Sequence, residues 1–585
     1  MIGVDAAENG FFTHDIDDHM RKRQIRDLLA DGQWYDKSWP FVAMPEPYIS
    51  PWSRLVDLPY VVIAKCLSPF IGMEQATNAA FRIWPLTMLL AFLLMCARLL
   101  HRVTEGREPI MAGSLGAVLV MTSVLELVPE RVDHHGLQLV ILLGVFTCVE
   151  GIIRKRRYAA CGLGALTVLS AAVSLEALPI LLGVFVVLGI SALGLGELMT
   201  KDAAYHGLSK SCFAMAAAGI GIAPLLLGPG NLTDGSCDAF SAPYALLLVL
   251  GGAGVWTLMK SWSVIDAKFE LLAVCVVLKS GPIILFGACI TALVAQAYPD
   301  CAKGPYHFMS ETARAEWLFQ IDQEKSLWAH LRTEPGRILP AYVLSAIALW
   351  SLAVLNWRRC GPFLRILIIV AGVGVCMSLL QLRNFRFAWL PLVFVVPAVL
   401  TDLQRPSPIS LGASALAFTV GMLLLRPVSQ NPITRFDVLA RGTCTESQLD
   451  DFEKLDTGIV AAPETLGTTL LRRGVFDTGG LRVANIGFHR SSPAITRIIS
   501  GFTSDPEAAQ THFAVYDYLA VCIEPDRFES GQAPLYSALM RGEVPTWLVP
   551  VSEPGSDLQI FRIRTDFNRS QRGIDASAPT PARSR

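Results

Sequence analysis

Apolar runs of roughly 18–25 residues, each long enough to cross a hydrocarbon core of ~30 Å, recur about twelve times along this chain. They lie near 84–102, 109–127, 136–153, 158–175, 178–199, 207–228, 241–260, 271–298, 338–356, 362–381, 387–402 and 408–426. Backbone groups in lipid must be satisfied within the segment, so such runs can only be helices. Composition enters as a check: 52% of the 585 residues are hydrophobic and 17% charged, against ~25% charged in a soluble domain. A net charge of −1, with no basic patch interleaved with aromatics, gives no case for nucleic acid. The 13 cysteines show no CxxC or zinc-finger spacing, so a structural zinc site is not indicated.

Lys and Arg in the short loops set the orientation. One alternating set holds Arg102 and Arg107, "RKRR" at 154–157, Lys201, Lys260, Lys268, Arg358, Arg359 and Arg405. The other holds "PERVDHH", "GPGNLTDGSCDAF", the segment Pro299–Arg337 and "RNFRF". The first set is expected on the cytoplasmic side. The N-terminal segment, the second set and everything after 426 are then extracytoplasmic, in a multi-pass protein of the cytoplasmic (inner) membrane. The N-terminal segment would need a preceding helix to reach that side, so the expectation is that a transmembrane helix upstream of this sequence is missing.

After 426 the chain turns polar. "TGIVAAPETLGTTLLRR", "LRVANIGFHRSSPAITRIISGF" and "DYLAVCIEP" each carry a short apolar strand, two of them followed by helical periodicity. The fold class expected is a polytopic α-helical membrane protein with a C-terminal extracytoplasmic α/β domain. Its parts are a first outer loop with interfacial helices (1–83), a transmembrane domain (84–426) that includes the outer loop 299–337, a soluble domain (427–567) and a disordered tail (568–585). No GxGxxG fingerprint indicates a nucleotide site. Cys237 and Cys301, like Cys444 and Cys522, face an oxidising exterior, so at least one bridge is expected; pairing is not readable from sequence.

Three carboxylate-bearing segments share the outer face. "HDIDDHMRKRQIRDLL" offers Asp15, Asp17, Asp18, His19 and Arg21; "ERVDHHG" offers Asp133, His134 and His135; "WLFQIDQEKSLW" offers Asp322 and Glu324. Oxygen and imidazole ligands in this number suit Mn2+ or Mg2+. Solvated loop charge is the bland alternative for any one segment, and it weakens when three of them abut spans on one side.

The first segment resembles the membrane-proximal motif of oligosaccharyltransferase catalytic subunits, in the spacing of Asp15 to His19, Met20 and Arg21. Asp17 and Asp18 stand where that family often has tyrosines. "VDHH" resembles the family's second acidic motif in archaeal members, "IDQE" its fifth-loop motif ending in Glu, and "QLRNFRF" its arginine-bearing stretch near the eleventh helix. One added N-terminal helix would bring twelve spans to the family's thirteen, and the likeness covers roughly residues 14–426. The tail departs from it. No Trp-Trp-Asp motif is present, Trp547 being the only tryptophan after Trp389, so recognition of an Asn-X-Ser/Thr sequon is unsupported. "CDAFSAPY", "CAKGPY" and "GFHR" are similar to bacterial membrane proteins of unassigned acceptor. The resemblance implies the broader GT-C class of membrane glycosyltransferases, with a polyprenyl-phosphate- or pyrophosphate-linked sugar as donor and a glycan, lipid or protein as acceptor.

The chemistry fits these residues on its own terms. Departing phosphate charge needs a cation or arginine, and an acceptor needs a carboxylate to orient or deprotonate it. Asp15 is expected as base and metal ligand, with Asp133, His134 and Glu324 completing the metal site. His135, Asp17 and Asp18 are outer-shell or alternate ligands. Arg383 and Arg386 are candidates for the lipid phosphate, with interfacial snorkelling as the equal alternative. Glu176 could line the cavity or cap a helix. His489 could meet the acceptor from a loop or simply be exposed. The rival function is a transporter or flippase of a lipid-linked or amphipathic substrate, for which Lys279 inside a span is the best evidence.

Overall fold

The protein is seen in a computed structural model that describes residues 16–44, 48–104, 109–321, 323–333, 338–402, 451–452, 455–463, 466–467, 470, 480–522, 533–553 and 556–564. Contacts divide the chain into two units. The first holds residues 1–35, 51–307 and 322–428; the second gathers 36–50 and 308–321 with the sequence from 429 onward.

In the first unit α1 (Ile16–Asp31), α2 (Arg54–Ile71) and α3 (Met73–Val103) are followed by α4 (Pro109–Val124), α5 (His134–Ile153), α6 (Ala159–Val173) and α7 (Leu178–Ala192). Then come α8 (Lys201–Leu227), α9 (Ala242–Met259), the short α10 (Trp262–Lys268) and α11 (Leu272–Ala297). Two short helices, α12 (Glu311–Glu316, in the second unit) and α13 (Leu327–Thr333), precede α14 (Ile338–Leu355), α15 (Pro362–Leu380) and α16 (Phe385–Asp402). Eleven of the twelve expected spans are therefore helices, and the twelfth, 408–426, lies outside the described residues. Eight helical segments among the described residues are long and apolar enough to cross a membrane alone. This is a polytopic helical membrane fold.

The core follows from composition around each helix. α16 is apolar on every side, with Leu390, Leu392, Phe394 and Val395 all buried against the cluster that includes Phe146, Leu367 and Val370. A Cβ on Gly374 would come within 2.5 Å of the Ala388 backbone nitrogen, so a glycine is what lets α15 press onto the first turns of α16. Gly136 does the same for α5, where a Cβ would meet the Glu126 carbonyl oxygen at 2.5 Å. These two close approaches seat helix ends that carry the charged residues described below.

Lys279 is explained without a transport pathway. α11 runs unbroken through Pro282. The Lys279 ammonium is buried, bonds Asp266 of α10 at 2.5 Å and lies 5.3 Å from the Trp262 ring centre. It is a buried cation paired with a carboxylate of the neighbouring short helix, which removes the best support for the rival function.

The second unit is α/β, as expected. β1 (Gly458–Ala461) lies between β2 (Leu481–Val483) and β3 (Tyr518–Cys522), parallel to both. β5 (Leu558–Ile563) pairs antiparallel with β3 and with β4 (Leu548–Pro550), giving the order β2-β1-β3-β5-β4. α17 (Ser492–Phe502) presents Ile495, Ile498, Ile499 and Phe502 to the core at helical spacing. The first three strands were readable as apolar runs; β4 and β5 were not anticipated.

In the first unit Cys237 and Cys301 form a disulfide, which fulfils the expectation of at least one outer-loop bridge.

Candidate active site

The acidic and basic candidates of the first unit meet at one end of its helices. α5 starts at Asp133, whose carboxylate is the N-cap: Oδ1 accepts from the His134 N–H at 2.6 Å and faces His134 Nδ1 at 2.5 Å. His135 Nε2 lies 3.1 Å from the other oxygen, Oδ2, and the two imidazoles pack 4.2 Å apart. The sequence produces this directly, because an N-cap and its first two helical residues crowd around one turn. Burial works against ionisation of Asp133, yet His134, His135 and Arg21 outweigh it and hold the carboxyl well below the usual range.

Asp18, on α1, fixes that turn from outside. Its Oδ1 accepts from the Val132 and Asp133 N–H groups at 2.8 and 3.0 Å, and its Oδ2 from Arg131 at 3.0 Å. Arg131 also donates to Glu126 at 2.8 Å, and Arg386 stands 3.7 Å from the same Glu126. Both Asp18 oxygens are thus occupied in positioning "VDHH". Arg21 is fully buried on Asp57 at 3.0 Å, with Arg54 and Gln24 on the same carboxylate, and stacks over Trp52. Asp17 and His19 sit half-buried in the first turn of α1. Asp15 lies outside the described residues.

A second arginine web adjoins the first. His135 Nδ1 is 3.7 Å from Glu176 Oε2, and Arg383 bonds Glu176 Oε1 at 3.1 Å and Glu324 Oε1 at 2.7 Å. Gln381 donates to Glu324 Oε2 at 3.0 Å, and the Tyr306 hydroxyl lies 3.5 Å from Arg383. Arg386 Nε donates to the Arg383 carbonyl at 3.0 Å. Burial raises the Glu324 carboxyl above its ordinary range; Arg383 opposes this and Glu176 adds to it. Burial likewise pushes the Tyr306 hydroxyl up to about 12.

Asp133, His134, His135, Glu176, Glu324, Arg383 and Arg386 are therefore brought together from four chain segments. Sequence reasoning missed Glu126, Arg131, Gln381 and Tyr306. Arg131, Gln381 and Tyr306 stood inside quoted motifs and Glu126 three residues before one, but only a fold shows which residues turn inward. Among the described residues, one group could hold a metal: Asp133, His134 and His135, with ligand atoms within 4.8 Å of one another. Glu324 is not in it, being engaged by Arg383 and Gln381. Asp133 Oδ2, His135 Nδ1 and Glu176 Oε2 are buried without a hydrogen bond, and among the described residues the ion-pair contacts of Asp133 are the two imidazoles. A buried carboxylate so placed fits a cation. His489 belongs to the second unit, in a short turn where it packs on Phe488 at 4.2 Å and faces Phe308 at 5.9 Å.

The sequence matches no protein-family model and no curated protein. Its fold is similar to solved structures of the oligosaccharyltransferase of Archaeoglobus fulgidus. The apo form gives a TM-score of 0.59 at 13% identity, over 87% of this chain and 66% of that one. The complex with an inhibitory peptide and a dolichol-phosphate gives 0.54 at 13%, over 87% and 66%. The complex with Zn and sulfate gives 0.55 at 14%, over 94% and 69%. The chain thus spans just under two thirds of the length of the apo protein. At such low identity the likeness is one of architecture alone: this chain has the membrane fold seen in the oligosaccharyltransferase of Archaeoglobus fulgidus.

Proposed function

We propose that the protein is a membrane glycosyltransferase that moves a sugar or oligosaccharide from a polyprenyl-(pyro)phosphate donor to an acceptor on the extracytoplasmic face. The observation that carries this is the buried Asp133–His134–His135 cluster set against the Arg383 web at one end of a GT-C fold. Transfer needs two things at one place: positive charge for the departing phosphate, and carboxylates to orient the attacking group.

Asp133, with the two histidines, would hold a divalent cation, Mn2+ or Mg2+ by its mixed oxygen and imidazole donors. The solved neighbour obtained with Zn and sulfate supports a metal in this fold without choosing which. A bound cation would supply charge neutralisation for the leaving phosphate. The protein's own residues do the rest. Asp18 and Arg131 fix the cluster's backbone, while the Glu176 carboxylate lies 3.7 Å from the His135 ring. Arg383 and Arg386 present guanidinium groups where a lipid phosphate would lie, and Asp15 is the proposed acceptor base. The neighbour bound to dolichol-phosphate supports a lipid-linked donor. The sequence carries no Trp-Trp-Asp motif, so recognition of an Asn-X-Ser/Thr sequon is unsupported and the acceptor class stays open.

The test is to incubate purified full-length protein with radiolabelled polyprenyl-linked sugars and candidate glycan, lipid and peptide acceptors. Label should pass to an acceptor with wild-type protein and fail to do so with Asp133→Ala. Label that stays on the lipid under all conditions, while the lipid itself moves across a vesicle membrane, would establish the flippase instead.

A further inference from the structure

At the other end of the same helices lies a polar cavity of about 470 Å³. α5 joins the two ends: it begins at Asp133 and ends in Glu150–Ile153, and 20 residues at 1.5 Å place the cavity about 30 Å from the proposed active site. Its walls come from the C-terminal ends of α3, α5 and α16 and from the turn between α14 and α15. A hole of this size among apolar helices, with Arg102, Glu150, Arg154 and Arg359 in its wall, has no role in transfer chemistry on the opposite side.

The charge in it is lopsided. Arg102, Arg154 and Arg359 line the cavity against one carboxylate, Glu150, which leaves two positive charges in excess. Glu150 is buried and bonds Arg102 at 2.9 Å, and Arg154 touches its other oxygen. Arg359 has no carboxylate partner among the described residues. Beside it, Gly361 caps α15 with no side chain, and Phe363 and Leu364 bring the first free N–H groups of a 19-residue helix to the cavity wall. Guanidinium forks and helix N–H groups are both donors without acceptors, and they converge here. Snorkelling arginines at a membrane surface would point outward into headgroups; here Arg102, one of the three, is drawn inside on a buried glutamate.

We propose that this cavity binds a phosphate group, from an anionic lipid headgroup or from free phosphate, on the membrane face opposite the transfer site. Arg359 and the α15 N-terminus would hold its oxygens, with Arg154 closing the rim and the Arg102–Glu150 pair keeping the floor in place. The site is independent of the sugar-transfer reading, because it shares no residue with it.

Native mass spectrometry of the purified full-length protein tests it, with phosphatidylglycerol, phosphatidylcholine and inorganic phosphate as probes. The wild type should retain one phosphatidylglycerol more tightly than phosphatidylcholine. Arg359→Gln and Arg154→Gln should each weaken that adduct about tenfold, and Arg359→Lys less. Inorganic phosphate that binds to the same residues, and that phosphatidylglycerol fails to displace, identifies the free ion as the source. Both variant sites are exposed, so a melting temperature equal to wild type is expected and guards against misfolding. Adducts of equal strength in the wild type and both Gln variants, for every probe, overturn the proposal.

Discussion

Arg383 reaches Glu324 across 2.7 Å and Glu176 across 3.1 Å, so one guanidinium joins carboxylates from two separate loops. Those two carboxylates occupy the donor fork that a lipid phosphate would take, and exchange of one anion for another keeps the arginine neutralised throughout. Arg383→Gln should therefore lower transfer by about 10²–10³-fold, the cost of one lost oxyanion donor. Arg383→Lys should fall between, since it keeps charge without the fork. Single-turnover rates with a lipid-linked sugar decide it; unchanged rates in the Gln variant would remove Arg383 from the chemistry.

The raised carboxyl of Glu324 carries a pH signature. Its folded pKa lies above the unfolded value, so the folded chain takes up that proton first as pH falls. Ionised Glu324 is then a net cost at neutral pH that disappears in acid. Glu324→Gln should be at least as stable as wild type near neutrality, and the two melting temperatures should converge as pH drops through the raised value. A wild type that gains on the variant with rising pH would mean that Arg383 outweighs burial.

Membrane architecture was readable because lipid imposes a length and a polarity on each span, and eleven runs fell where helices stand. Side by side placement was not. "VDHH" showed an aspartate and two histidines but not that Asp133 caps α5 and gathers both rings, which depends on a helix starting at His134. Nor could the sequence show that Glu126 and Arg131, only five residues apart, would face Asp18 and Arg386 from other helices. Glu324 was read as a metal ligand from its loop motif, and the fold engages it with Arg383 because residues 324 and 383 sit on facing turns. Lys279 misled for the opposite reason. Its partner Asp266 is 13 residues away, across a turn whose geometry no pattern reveals.

Asp18 tests whether the "VDHH" turn is held in place from outside. Its side chain is fully buried and serves two backbone N–H groups and Arg131, so Asp18→Ala leaves three donors unmatched. A loss of about 3–5 kcal/mol is expected from breaking such a buried charge pair. Asp18→Asn keeps an acceptor for the two N–H groups and should recover part of the melting temperature. Cation affinity should drop far less in Asp18→Asn than in Asp133→Asn, because Asp18 acts through the turn. Equal losses in the two variants would make Asp18 a direct ligand.

The cation requirement follows from what surrounds Asp133. Its carboxylate is buried, and among the described residues no arginine side chain lies within ion-pair distance of it; its ion-pair contacts there are His134 and His135. His134 spends Nδ1 on the carboxylate, which leaves Nε2 as the nitrogen a metal could take, the arrangement by which a carboxylate commonly orients a metal-binding imidazole. Asp133 Oδ2 and His135 Nδ1 are buried without hydrogen bonds, a cost that a shared cation removes. Chelation should accordingly stop transfer, and added Mn2+ should restore it. Asp133→Ala, His134→Ala and His135→Ala should each raise the cation concentration needed for half-maximal rate, by about 10–100-fold if they act as ligands or orient one. Direct binding of Mn2+, followed by its electron paramagnetic resonance signal, separates this from a loss of turnover alone. Full activity in excess EDTA, with no Mn2+ bound, would leave the two histidines as packing around a capped helix and rest the chemistry on the arginines.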